Sequence, residues 1–177
     1  PQRIEGHRGR VLAVVFWNAA SAYCHTLLED LQRLQARFPV GLSLLGIHQP
    51  KFDAELDGRL VLKVANRLGL GFPVANDPGW TTWQHYAITA WPSVALVDTR
   101  GRLRELFTGD DQASRLEAAI HRMIDEVGGA VQPGAPSRRL GAEPRLPLAF
   151  PSGLAVGENH LYVADTGLHR ILECTHS

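Results

Sequence analysis

Seven consecutive residues, Val11-Leu12-Ala13-Val14-Val15-Phe16-Trp17, are apolar, and most are β-branched or aromatic. A strand with one wet face would alternate apolar and polar residues, so an unbroken run of this kind fits a strand buried on both faces of a sheet. Such a sheet needs helices above and below it. The first follows at once. Leu27, Leu28, Leu31, Leu34 and Phe38 recur at helical spacing, Ser21 offers a hydroxyl to the first turn, and Pro39 ends the run, which predicts a helix from Ser21 to Arg37.

The alternation continues. Gly41 to His48 reads as a second buried strand, and Asp53 to Leu70 as a helix with Leu60, Val61, Val64 and Leu68 along it and a stop at Gly69-Leu70-Gly71. Phe72 to Ala75 is a short apolar piece, Asn76-Asp77-Pro78-Gly79 a turn, and Trp80 to Tyr86 a short helix. Ser93–Asp98 and Leu103–Phe107 flank Thr99-Arg100-Gly101 and predict an antiparallel hairpin. Asp111 to Val127 closes the series as an amphipathic helix carrying Leu116, Ala119, Ile120, Met123, Ile124 and Val127 on one side. Strands and helices in this order predict an α/β fold, a mixed sheet covered on both faces.

Beyond it, Gly128 to Leu148 is dense in Gly and Pro and has neither period, which marks a linker. Gly153–Val156 and Leu161–Ala164 then read as short strands, and Arg170-Ile171-Leu172 begins a third. The chain therefore divides into residues 1–127, a linker 128–148, and a C-terminal piece 149–177.

Charge and motifs narrow the function. Eighteen basic and eighteen acidic side chains cancel, so no overall field draws the chain to nucleic acid or to an anionic membrane, and neither is expected as a partner. Cys24 and Cys174 are the only cysteines, and the eight histidines show no metal-ligand spacing, so no metal is expected. Nucleotide-loop, dinucleotide and hydrolase motifs are absent, and no cofactor is expected. No stretch of 18 apolar residues and no signal-like start is present, which points to a soluble, cytoplasmic setting. Because the sequence starts at Pro1 rather than Met, a preceding segment is also expected.

Phe16-Trp17 followed by Ser21-Ala22-Tyr23-Cys24 resembles the strand-to-helix junction of the thioredoxin superfamily, where an FW pair precedes Cys-x-x-Cys. Ala90-Trp91-Pro92-Ser93 resembles the loop that sets a cis-proline beside the dithiol, with Pro92 at the matching position. Gly46-Ile47-His48-Gln49-Pro50-Lys51-Phe52, Phe72 to Pro78, Trp83-Gln84 and Tyr86 resemble the branch that joins a thioredoxin-like domain to NHL repeats. The tail agrees, since Phe150 to Val156 and Leu161 to Ile171 look like one NHL repeat, with Leu168 where Asn is usual before His-Arg. The resemblance implies a thioredoxin-like mixed central sheet with helices on both faces, followed by a fragment of an NHL β-propeller blade. A lone fragment of a blade is expected to be disordered or to pack on the first domain.

In that family the first helix usually opens with Cys-Cys-x-x-Cys. Here Ala20 and Ser21 hold the first two positions and Cys24 stands alone. Disulfide exchange requires an attacking thiolate, which a serine hydroxyl cannot replace, so Ser21 is expected to act as a helix cap. Val15 occupies the place where thioredoxins often carry a buried carboxylate. Cys24, at the resolving position, is either a small buried hydrophobe or a one-cysteine site activated by the helix N-terminus. His25 points about 100° away from it on the helix and is expected to face elsewhere. Trp91, Pro92, Trp17 and Tyr23 are the candidate binding residues, with Trp80 and Trp83 nearby, although Trp17 also suits the core. The resulting expectation is a redox-degenerate binding or structural module beside an NHL propeller, taking a protein or peptide partner. The alternative is a one-cysteine thiol oxidoreductase or redox sensor using Cys24.

Overall fold

The apolar run forms β1 (Val11–Trp17), and each of its residues is buried. In the computed structural model, which describes residues 4–128, 137, 148, 151–166 and 170–175, β1 is the middle strand of five. On one side it pairs in parallel with β2 (Leu42–His48), Val11 opposite Leu42 and Trp17 opposite His48. On the other it runs antiparallel to β4 (Ser93–Val97), with Phe16 opposite Ser93. The short β3 (Val74–Asn76) and the hairpin strand β5 (Leu103–Thr108) form the edges, giving the order β3-β2-β1-β4-β5.

Strand alternation divides the core. Val11, Ala13, Val15 and Trp17 join Leu27, Leu28 and Leu31 of α1 (Ala22–Arg37), Val61 and Ala65 of α2 (Gly58–Arg67), and Leu116, Ala119, Ile120 and Met123 of α4 (Ala113–Asp125). Leu12, Val14 and Phe16 face the other way, toward Leu45, Ile47, Ile88, Ala95 and Val97, with Trp83 and Tyr86 from and just after α3 (Thr81–His85) laid over them. Both faces are covered as expected, but unequally. Three helices pack on one face, while among the described residues α3 with the loop around it and the 3-10 turn Ile4–His7, whose buried His7 meets the Ser43 hydroxyl, lie over the other.

The helix predicted over 53–70 is shorter and broken. Asp53–Leu56 is a 3-10 turn, Asp57 is extended, and its carboxylate accepts the Arg59 N–H to start α2. The turn is pulled off the helix axis because Glu55 points inward, for reasons that lie at the site described below. Helix α2 stops at Arg67, and Leu70 enters the core after Gly69 takes φ +64, a backbone state glycine adopts without strain.

The chain separates into two compact units, residues 1–142 and 143–177. In the second, β6 (Pro151–Val156), β7 (His160–Asp165) and β8 (Arg170–Thr175) form an antiparallel meander. Of the two expectations for the tail, disorder is corrected: the described residues form a three-stranded sheet of their own. Its register places Leu154, Val156, Leu161, Val163 and Leu172 on one face, where Leu154 is 67% and Val156 74% exposed. Apart from Gly128, Ser137 and Leu148, the predicted linker lies outside the described residues, as do Gly167, Leu168 and His169 of the tail motif. No helix among the described residues is long and apolar enough to cross a membrane.

Candidate functional site

Because β1 and β2 run parallel and β4 runs against them, the loops after β1 and β2 and the loop before β4 open at the same end of the sheet. The β5–α4 turn joins them, its Gly109 N–H donating to the Pro92 carbonyl at 2.9 Å. Residues 18–24, 49–55, 77–92 and 109–111 therefore make up one surface.

Ser21 caps α1, its hydroxyl oxygen accepting the Cys24 N–H at 3.4 Å, which is the role its position predicts. Cys24 is fully buried, and its sulfur accepts the Asn18 N–H at 3.4 Å. Burial pushes the thiol pKa up, helped slightly by the nearby Asp110 charge and opposed by the contacts with Ser21 and Asn18. The first turn otherwise exposes Ala20 and Tyr23, the latter at 67%. His25 does not face solvent alone: its Nε2–H donates to the Ala19 carbonyl at 2.9 Å, folding the ring back over the loop.

A buried polar network underlies this loop. The Asn18 amide nitrogen donates to the Gln49 carbonyl at 3.0 Å and to Glu55 Oε2 at 2.9 Å. The same Glu55 oxygen accepts the Lys51 N–H at 2.6 Å and the Phe52 N–H at 3.1 Å, and the residue is only 4% exposed. The sequence reading missed both Asn18 and Glu55, as well as Gln49, whose Oε1 accepts the Trp91 indole N–H at 3.3 Å.

Trp91 and Pro92 are joined by a cis peptide bond. Pro92 is buried, while Trp91 is half-buried and packs with Trp80 and Trp83, all three ring centroids being 5.1 Å apart pairwise at angles of 55° to 71°. Asp77 holds this group in place. Its carboxylate accepts the N–H groups of Thr81, Thr82 and Trp83 at 2.9–3.1 Å, fixing the start of α3. Trp17, offered by the sequence as a binding residue, is fully buried. It stands edge-on to His48 at 5.1 Å with its indole over Gly46, where an added Cβ would meet the ring nitrogen at 3.2 Å. Its parity with Val11, Ala13 and Val15 directs it into the core and away from any ligand.

Burial also holds three histidines below their ordinary pKa of 6.5: His7, where Arg10 adds to the effect, His25, and His48, where Asn76 and Glu55 oppose it. Protonation is then easier in the unfolded chain, so their contribution to stability is complete above about pH 6.5 and is lost as the pH falls below it. The urea midpoint, followed by tryptophan fluorescence, is expected to fall between about pH 7.5 and pH 5, and His48→Gln to flatten that fall. A midpoint unchanged over this range would show that the three rings titrate alike in the folded and unfolded chain.

The described residues contain no group of three or more His, Cys, Asp or Glu placed to hold a metal ion. What the surface offers is aromatic area, exposed backbone and carboxylates around a buried thiol.

Comparison with known proteins reaches both units. Residues 148–174 match the NHL repeat. Protein SUPPRESSOR OF QUENCHING 1, chloroplastic, from Arabidopsis thaliana is 29% identical over 169 residues, covering 90% of this chain and 16% of that protein. NHL repeat-containing protein 2 from Gallus gallus is 27% identical over 172 residues, covering 93% of this chain and 24% of that protein. The chain thus spans less than a quarter of the length of either relative. Among solved structures, a thiol-disulfide isomerase from Corynebacterium glutamicum superposes with a TM-score of 0.62 at 20% identity, over 70% of this chain and 86% of that one, a likeness of fold alone.

Proposed function

We propose that this chain, which joins a thioredoxin-like fold to an NHL repeat, uses its thioredoxin-like unit for binding and not for disulfide exchange. One observation carries the reading: Cys24, the only sulfur in that unit besides Met123, is fully buried behind Asn18 and Ser21, and Ala20 and Ser21 hold the outer positions of the loop. Exchange begins with attack by an exposed thiolate and passes through a mixed disulfide. A hydroxyl can do neither. The surface that would surround such chemistry is nonetheless present, with Tyr23 exposed and Trp80, Trp83 and Trp91 partly so, and these are the residue types that anchor protein interfaces. The NHL segment extends the reading, since propeller blades mainly present surfaces to partners.

Insulin reduction by dithiothreitol tests this. Precipitation with the chain present is expected to match buffer alone, and a rate near that of a dithiol thioredoxin would overturn the reading.

A second reading has support from one feature. The Asn18 N–H on the sulfur and the N-terminus of α1 both stabilise a thiolate, as a one-cysteine oxidoreductase or redox sensor would need. Thiol labelling separates the two. In wild type, the exposed Cys174 is expected to react at once. In a Cys174→Ser background Cys24 should stay protected until the protein unfolds. Fast reaction of Cys24 with a midpoint well below about 8.5 would favour the second reading, and its glutathione or peroxide reactivity should then vanish in Cys24→Ser.

A further inference from the structure

The surface has a charge sign that the whole chain lacks. Across the loops 18–24, 49–55, 77–92 and 109–111 the carboxylates are Asp53, Glu55, Asp77, Asp110 and Asp111, against one ammonium, Lys51. Overall the chain balances eighteen basic with eighteen acidic residues. Glu55 and Asp77 are buried and occupied by N–H donors, but Asp53, Asp110 and Asp111 reach solvent. Asp110 follows Gly109, whose N–H donates to the Pro92 carbonyl, so its backbone adjoins the Trp91-Pro92 loop, and its charge is felt at the Cys24 thiol.

The aromatic patch is built with some effort. Trp80 has φ +57, a left-handed state that bulky side chains rarely take, and it lies between the Asp77 cap and the first turn of α3. The conformation sets its ring against both Trp83 and Trp91 at half-buried positions. Backbone strain of this sort collects at binding sites, where the surrounding structure holds it for a use. Partly exposed tryptophans on the same surface as solvent-reaching carboxylates match a partner that is apolar at one point and cationic near it.

Building on the binding reading, we propose that this end of the thioredoxin-like unit docks an extended basic segment of another polypeptide. The segment lays an apolar side chain on Trp80, Trp83 and Trp91 and sets a Lys or Arg against Asp110.

Fluorescence polarisation on the full chain tests it, with two labelled peptides identical except for the centre, Arg-Leu-Pro-Val-Arg in one and Glu-Leu-Pro-Val-Glu in the other. The Arg peptide is expected to bind, the Glu peptide to bind about tenfold more weakly or worse, and the difference to shrink as salt is raised above about 0.15 M. Asp110→Lys should reverse the preference. Trp80→Gly removes a ring at a backbone position glycine accepts, so the urea midpoint should hold while affinity for the Arg peptide falls about 30-fold. Should Trp80→Gly fail to fold, the Asp110→Lys reversal still decides. Equal binding of the two peptides would overturn this inference and leave the binding reading intact. Binding of neither peptide would remove both. Self-association of the chain that masks the site would assign the face to a second copy and overturn the separate partner.

Discussion

In a Cys174→Ser background, Ser21→Cys is expected to give the thioredoxin-like unit a disulfide and a reductase activity well above that of the unit with Ser21. Ser21 already stands at the cap of α1 with its hydroxyl on the Cys24 N–H, so a sulfur there would lie three residues before Cys24 on the same side of the helix start. The helix N-terminus stabilises the new thiolate, while Cys24, shielded behind Asn18, is placed to attack a mixed disulfide from within. The electron flow then balances as in any dithiol: two thiols are oxidised, substrate disulfide is reduced, and dithiothreitol returns the pair. Loss of the hydroxyl cap costs about 1 kcal/mol, which a folded unit can absorb. Insulin reduction should rise by about tenfold or more over wild type, with the variant remaining slower than thioredoxins that retain a buried acid at the position of Val15. If the variant oxidises without turning over, the missing sulfur is not the whole of what this site has lost. If it fails even to form the disulfide, the loop geometry has drifted from that of a dithiol helix.

The residues that made this site legible act locally. The β1 run, the α1 spacing and the Ser21 cap each depend on neighbours within a turn or a strand, and all three are found as read. The Trp91-Pro92 loop was recognisable by resemblance and by nothing in its own dipeptide. What escaped depends on distant partners. Glu55 looks like one more solvated acid on an amphipathic helix, and only the fold brings it to Asn18, 37 residues earlier. Asp77 reads as part of a turn, since nothing local tells that its carboxylate will take three backbone donors. Trp80 carries no signal for a positive φ at all. Trp17 is the instructive case in the other direction. Period-two parity with Val15 already placed it on the helix-covered face, and its proximity in sequence to Ser21 and Cys24 gave it a binding role the fold denies.

The Glu55 network is where the fold and the site are most tightly joined, and Glu55→Ala is expected to be the most damaging single change outside the apolar core. The carboxylate receives the Asn18 side chain and the N–H groups of Lys51 and Phe52, so it fixes the loop after β1 and the loop after β2 together. Truncation takes away the acceptor of three N–H groups, one on the buried Asn18 side chain and two on the part-buried backbone of Lys51 and Phe52, and leaves a void between the two loops. Each hydrogen bond to a charged group is worth about 1.5–3 kcal/mol, and they are not independent, so a total loss of about 3 kcal/mol is expected. All four tryptophans lie in the first unit, which makes their fluorescence a report on that unit alone during urea unfolding. The midpoint should fall, and the slope should stay as in wild type if the native state is otherwise kept. Glu55→Gln separates charge from shape. Its amide oxygen can still accept, so a loss of about 1 kcal/mol there against about 3 for Ala would assign the effect to hydrogen bonding in the loop. Equal losses would mean the carboxylate charge itself holds the two loops together. A variant that loses stability should also free Cys24 to thiol reagents before global unfolding, because the Asn18 N–H that covers the sulfur is positioned by the same carboxylate.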